Sequence, residues 1–104
     1  MIAHIVLVKP QSTLAPEQRQ KLSDAVQAGI RRCPTVRSCR IGRRVLHGLP
    51  GYEQMMREDY EYALILEFED INGLTAYLAH PEHELLGHLF SEATAAALAY
   101  DYEF

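Results

Sequence analysis

Residues 60–69, Tyr60-Glu61-Tyr62-Ala63-Leu64-Ile65-Leu66-Glu67-Phe68-Glu69, alternate with a period of two, the signature of a β-strand. Tyr60, Tyr62, Leu64, Leu66 and Phe68 share one face, and Glu61, Glu67 and Glu69 share the other. The second face is nevertheless apolar at its centre, through Ala63 and Ile65. A strand with one large-residue face and one small apolar face belongs in a sheet covered on both sides, and the rest of the chain has to supply the covers.

Upstream, residues 36–45 alternate as a second strand, with Cys39, Ile41 and Val45 on one side among arginines. Gly48, Pro50 and Gly51 break the chain, so residues 46–58 read as a loop. Residues 2–9 hold the β-branched-rich run Ile5, Val6, Leu7 and Val8, closed by Pro10, as a buried strand does. Between these strands the period changes. Ser12 or Thr13 can cap a helix with Pro16 and Glu17 in its first turn, and Leu22, Ala25, Val26, Gly29, Ile30 and Cys33 fall on one helical face before Pro34 ends it. Downstream, Asp70 can cap a short helix running through Leu78. His80-Pro81 interrupts it, and Pro81 opens another helix with a stripe of Leu85, Leu86, Leu89, Phe90 and Ala93. Leu98 to Phe104 alternate as a last strand. The alanine run Ala93–Ala99 carries no pattern of its own.

Strand, helix, strand, strand, helix pair, strand is the split βαβ plan: an α+β, ferredoxin-like βαββαβ fold with a four-stranded antiparallel sheet. Phase along the strands assigns Val6, Val8, Leu64, Leu66, Phe68 and Tyr100 to one face, and Ala3, Ile5, Leu7, Ala63, Ile65, Ala97 and Ala99 to the other. Helices cover only one face. The second apolar face predicts a homodimer in which two open sheet faces pack together.

The composition agrees with a single domain over residues 1–104: 48% of residues are hydrophobic and 23% charged, which excludes disordered and collagen-like chains. The net charge of −4 hides an asymmetry. Residues 1–50 carry +7 and residues 51–104 carry −11, a division that can mark a nucleic-acid tail. Here the cluster Arg31, Arg32, Arg37, Arg40, Arg43 and Arg44 adjoins an acidic strand with Glu61, Glu67 and Glu69. Cross-strand Arg–Glu pairing is the simpler account, and no nucleic-acid partner is expected. Two cysteines, Cys33 and Cys39, are too few for a disulfide framework and point to a reducing, cytoplasmic setting. The apolar N-terminal run has no basic residue before it and stops at Lys9-Pro10, so neither a signal peptide nor a membrane span is expected.

Five segments in order resemble the stress-responsive A/B barrel (Dabb) family of the dimeric α+β barrel superfamily. They are His4–Val8, Pro34–Arg43, Tyr62–Asp70, Tyr77–His83 with its His80-Pro81-Glu82-His83 core, and Tyr100–Phe104. The resemblance implies a dimer whose two sheets close into a barrel with the helices outside. It does not imply one reaction. Some members are linked to stress tolerance, and one plant member cyclises a linear polyketide by aldol condensation without a cofactor. Carried over by position, that cyclase's acid–base pair corresponds to Tyr77 and His83, and its first-strand histidine to His4. Its third-strand histidine is matched by Tyr62, a departure in chemistry.

The residues themselves allow these roles. His83 lies in the first turn of the helix opened by Pro81, where the helix N-terminus disfavours imidazolium and keeps a neutral base near pH 7. Tyr77 can donate its hydroxyl to a carbonyl, provided the proline break turns the chain enough to bring the two together. His4 and Tyr62 sit in phase with the large-residue face as cavity walls, and His80 joins them as a substrate-binding candidate. Tyr52, Met55 and Met56 form a candidate lid. His80, His83 and His88 do not make a metal site: His88 falls opposite the apolar stripe, and no His-Glu-x-x-His pattern is present. No cofactor is expected. Two functions remain open: a cofactor-independent acid–base enzyme, cyclase- or isomerase-like, acting on an apolar or aromatic small molecule, and a non-catalytic stress-response or ligand-carrier protein.

Overall fold

A computed structural model describes residues 1–104. In chain order its elements are β1 (Ile2–Pro10), α1 (Pro16–Arg31), β2 (Ser38–Arg43), β3 (Tyr62–Phe68), α2 (Ile71–Leu78), α3 (Pro81–Ala93) and β4 (Thr94–Glu103), with one 3-10 turn at Glu53–Met55. The strands form one sheet in the order β2-β3-β1-β4, every neighbouring pair antiparallel. This is the ferredoxin-like architecture that the alternation of periods predicts.

Register decides which side chains meet. His4 lies opposite Leu66, Val6 opposite Leu64 and Val8 opposite Tyr62, while Cys39 and Ile41 of β2 pair with Leu66 and Leu64. These residues face the helices. Leu66 and Phe68 are fully buried there, and Val26 and Ile30 of α1 and Leu86 of α3 close over them. Helix α3 reaches α1 at Gly29, where an added Cβ would stand 3.2 Å from Leu86 Cδ2. A hydrogen atom at that position lets the two helices approach.

Helix α1 begins later than a cap at Ser12 or Thr13 would place it. Ala15 is the N-cap, extended at φ −71° and ψ 157°, as a residue preceding proline is driven to be. The Gln18 side chain reaches back over the first turn and accepts from the Ala15 N–H at 2.8 Å, the half of a capping box that does not need a polar side chain at the cap. Strand β4 begins four residues before Leu98. The alanine run is strand because β1 captures it, with Lys9 opposite Ala96 and Val8 opposite Ala97, and pairing overrides alanine's helical preference. Helix passes to strand without a loop, and Thr94 Oγ1 donates to the Phe90 carbonyl at 2.6 Å.

The same register corrects the faces of β4. Tyr100 pairs with Ile5, and Ala99 with Val6. Tyr100 therefore belongs to the open face with Leu98 and Tyr102, whereas Ala97 and Ala99 turn toward the helix side. The open face is more aromatic than phase alone suggested: Leu98, Tyr100 and Tyr102 are exposed beside Ile5 and Ile65.

The charge asymmetry resolves into ion pairs between β2 and β3 and their extensions. Arg37 meets Glu69, Arg40 Nη2 lies 3.8 Å from Glu67, Arg43 Nη2 3.1 Å from Glu61, and Arg44 Nη1 2.7 Å from Asp59. Exposed pairs of this kind contribute about 0–1 kcal/mol each, so they set register and solubility more than stability. Cys33 is buried and Cys39 half-buried, both free. Burial pushes both thiols up, which keeps them protonated and unreactive at neutral pH. No helix is long and apolar enough to cross a membrane.

Candidate functional site

The site is built at the break between α2 and α3. Asp70 Oδ1 accepts from the Gly73 N–H at 2.9 Å and caps α2, a contact that contributes about 1 kcal/mol. Helix α2 closes with the His80 N–H on the Tyr77 carbonyl at 3.0 Å. Pro81 then stands at the start of α3, with His80 as N-cap: its Nδ1 accepts from the Glu82 N–H at 3.1 Å. The turn is tight enough to fold His83 back over Tyr77, and the two rings meet edge to face, centroids 5.0 Å apart at 69°.

Tyr77 is the hub. Its ring lies 5.4 Å from Phe68 and 6.0 Å from His4, and only 4% of the residue is exposed. Burial drives its phenol well above the ordinary tyrosine range, with Cys33 and Cys39 adding to the effect. Tyr77 is therefore an O–H donor at any physiological pH, and not a base. His83 moves the other way. Burial lowers it and neighbouring His4 lowers it further, against the opposing pull of the Leu78 carbonyl. The imidazole is neutral near pH 7 and has a lone pair to offer.

His4, 6% exposed, is held on the same face of the sheet by the neighbouring edge strand β4. It pairs in register with Asp101, whose Oδ1 lies 2.5 Å from His4 Nδ1. An ionised carboxylate can only accept, so the contact places the proton on Nδ1 and fixes the ring. Asp101 was hidden in the sequence between Tyr100 and Tyr102. An acid in strand phase with His4 becomes a signal only once the register of β1 and β4 is known.

The sequence candidates thus divide. His4, Tyr77 and His83 converge. His80 adjoins them, but its Nδ1 is engaged as the α3 cap. Tyr62 stands apart: its partner on β1 is Val8, four residues from His4, or about 13 Å along the strand. It lines a separate cleft of about 60 Å³ under α1 with Val8, Leu22, Val26, Leu64 and Phe90. The loop expected as a lid lies elsewhere. Met56 lines a groove with Leu7, Gly42 and Ala63, residues of the open sheet face, while Met55 and Tyr52 are exposed. A lid over Tyr77 would have to reach the opposite side of the sheet.

The protonation of His83 is testable without a substrate. Its value is lowered by folding, so between the ordinary histidine value of 6.5 and the folded value the unfolded chain takes up a proton while the folded chain does not. Stability is therefore full above pH 6.5 and falls as pH drops through the folded value. His83→Gln is expected to flatten that acid-side slope in urea titrations at a series of pH values. An unchanged slope would refute the neutral imidazole.

No curated protein matches the chain significantly in sequence. Solved structures do match in fold. A protein from Arabidopsis thaliana superposes with a TM-score of 0.84 at 19% identity, covering 100% of this chain and 95% of that one. A dimeric ferredoxin-like protein from Thermobifida fusca gives 0.77 at 19%, covering 99% and 90%. The hydroxynitrile lyase of Passiflora edulis gives 0.80 at 17%, covering 97% and 90%. The family model of the stress responsive A/B barrel domain matches residues 2–104, and with a single sheet and three helices spanning that whole range, the chain belongs to this family.

Proposed function

We propose that the protein works as a homodimer joined through its open sheet face, and that each protomer binds an apolar or aromatic small molecule between sheet and helices. On a carbonyl-bearing ligand, Tyr77 and His83 perform acid–base chemistry without a cofactor. The observation that carries this reading is the contact of the two rings with protonation preferences of opposite sense. Neutral His83 takes a proton from the carbon beside the carbonyl, and the Tyr77 hydroxyl hydrogen-bonds the oxygen on which charge develops. His4, set by Asp101, packs against Tyr77 and positions it. Aldol cyclisation and isomerisation both need this pair of functions. That the same fold serves a hydroxynitrile lyase in Passiflora edulis supports the presence of an enzyme site on such a scaffold.

A thermal-shift screen of phenolic and polyketide-like carbonyl compounds identifies ligands, and any compound turned over is then tried with variants. His83→Ala is expected to lower kcat by about 10²–10⁴-fold and Tyr77→Phe by about 10²–10³-fold, with KM little changed. Turnover that survives both substitutions overturns the assignment. The burial of Tyr77, at 4% exposure, favours a second reading, a ligand carrier in which the cluster is packing alone. A ligand that binds with full affinity to both variants and is recovered unchanged from the wild type would establish the carrier.

A further inference from the structure

Between β2 and β3 the chain makes a loop whose apolar side chains find no place in its own fold. Val45, Leu46, Leu49, Tyr52, Met55 and Met56 are each between 58% and 77% exposed, and none of them joins the core or packs on it. So dense a set of large apolar groups in water marks a contact surface. The loop is not slack. Glu53 braces it: its carboxylate accepts from the Gly48 N–H and lies 3.3 Å from His47 Nε2, and its carbonyl accepts from the Met56 N–H at 3.3 Å. His47 Nδ1 in turn accepts from the Leu49 N–H at 3.0 Å, and the His47 ring meets Tyr52 edge to face at 5.1 Å. Gly48 and Gly51 supply the left-handed turns, at φ 74° and 86°, that this winding requires. The polar groups hold the loop in shape while the apolar ones stay outside, so little ordering entropy is left to lose when a partner arrives.

We propose that residues 45–56 form a pre-shaped arm that docks on a second copy of this chain and extends the dimer interface beyond the open sheet face. The inference rests on the homodimer reading above and adds the loop to it. Continuity argues for this occupant. Met56 and Arg57 line one groove with Leu7, Gly42 and Ala63, and those three lie side by side on the open face, Leu7 and Gly42 both opposite Ala63. Ile65, at the middle of that face, is only two residues further along β3, so a molecule covering Ile65 also reaches the loop. The chain carries the counterpart as well. Strand β4, at the other edge of the sheet, exposes Leu98, Tyr100 and Tyr102 and holds the acids Asp101 and Glu103, whereas Arg43, Arg44 and Arg57 border the groove beside the loop. Apolar groups on both edges, with opposite charges beside them, make one copy complementary to another.

The test is the dimer dissociation constant by sedimentation equilibrium, with far-UV circular dichroism to establish that each variant is folded. Leu46→Ser combined with Met55→Ser should raise the constant about a hundredfold, or about tenfold for each apolar side chain lost from the interface. Glu53→Ala, which releases the brace without removing an apolar group, should raise it about tenfold. Leu85→Ser, at an exposed leucine of α3, should leave it unchanged. A second readout needs no variant: oxidation of Met55 and Met56 by dilute peroxide, followed by mass spectrometry, should slow as wild-type concentration rises through the dissociation constant. Loop variants that associate as tightly as the wild type, equal weakening by Leu85→Ser, or oxidation independent of concentration would each overturn the arm while leaving the dimer in place. A wild type that stays monomeric at every concentration would instead remove the homodimer reading itself, and the arm with it.

Discussion

Ile65→Lys is expected to leave the protein folded and monomeric, with half the mass of the wild type by light scattering at micromolar concentration. Ile65 sits at the middle of the open face, opposite Ile5 on β1 and Arg40 on β2. Its neighbours in sequence, Leu64 and Leu66, point the other way and make the core. A charge at position 65 therefore leaves the helix-covered side untouched. Across a two-fold axis the substitution places two ammonium groups in one interface, each beside the Arg40 guanidinium that lies opposite position 65, at a cost of several kcal/mol per buried ion. Since about 1.4 kcal/mol is a factor of ten, association should weaken by about three orders of magnitude or more. The exposed Leu98, Tyr100 and Tyr102 beside Ile65 explain why the wild type should associate: so large an apolar patch is rarely left in water. A variant that keeps the dimer mass would place the interface elsewhere.

Phe68→Ala should be the most damaging single truncation of the core. Phe68 is fully buried, packs beneath Tyr77 at 5.4 Å and lies against Gly73 at the start of α2. Removing a buried phenyl costs about 3–5 kcal/mol, out of a total of roughly 5–15 kcal/mol for a domain. At about 4–8 °C per kcal/mol for a domain near this size, the melting temperature should fall by about 12 °C or more. The effect on the site should be separable. With its backing ring gone, Tyr77 loses the wall that holds its edge against His83, so any Tyr77-dependent turnover should fall further than the folded fraction does. A loss below about 1 kcal/mol would mean that the neighbouring Leu74 and Leu66 side chains collapse into the space.

Much of this was legible in residue order. The alternation of Tyr62 to Phe68 specified a strand and its buried face. The stripe of Val26 and Ile30 specified the helix above it, and the arginines of β2 facing the glutamates of β3 turned a suspicious charge division into pairing. His83 and Tyr77 could be nominated together because a proline break between two short helices is a local feature. Other elements were not legible. The run Ala93–Ala99 has no strand character of its own, Asp101 resembles any surface acid between two tyrosines, and the cap expected at Ser12 or Thr13 gave way to the constraint Pro16 places on Ala15. Tyr62 belonged to the expected face, but its distance from His4 along the sheet separated it from the cluster.

By itself the sequence determined the class of fold and the inner faces of β1, β3 and α1, because periodicity and proline act over a few residues. Only the tertiary structure decided that β4 begins at Thr94, that Tyr100 looks outward, that Asp101 holds His4, and that Tyr62 lines a second cleft. Each of these depends on which residue of a distant strand lies opposite. A one-residue slip in that pairing exchanges the two faces of a strand, and nothing local in the chain sets it.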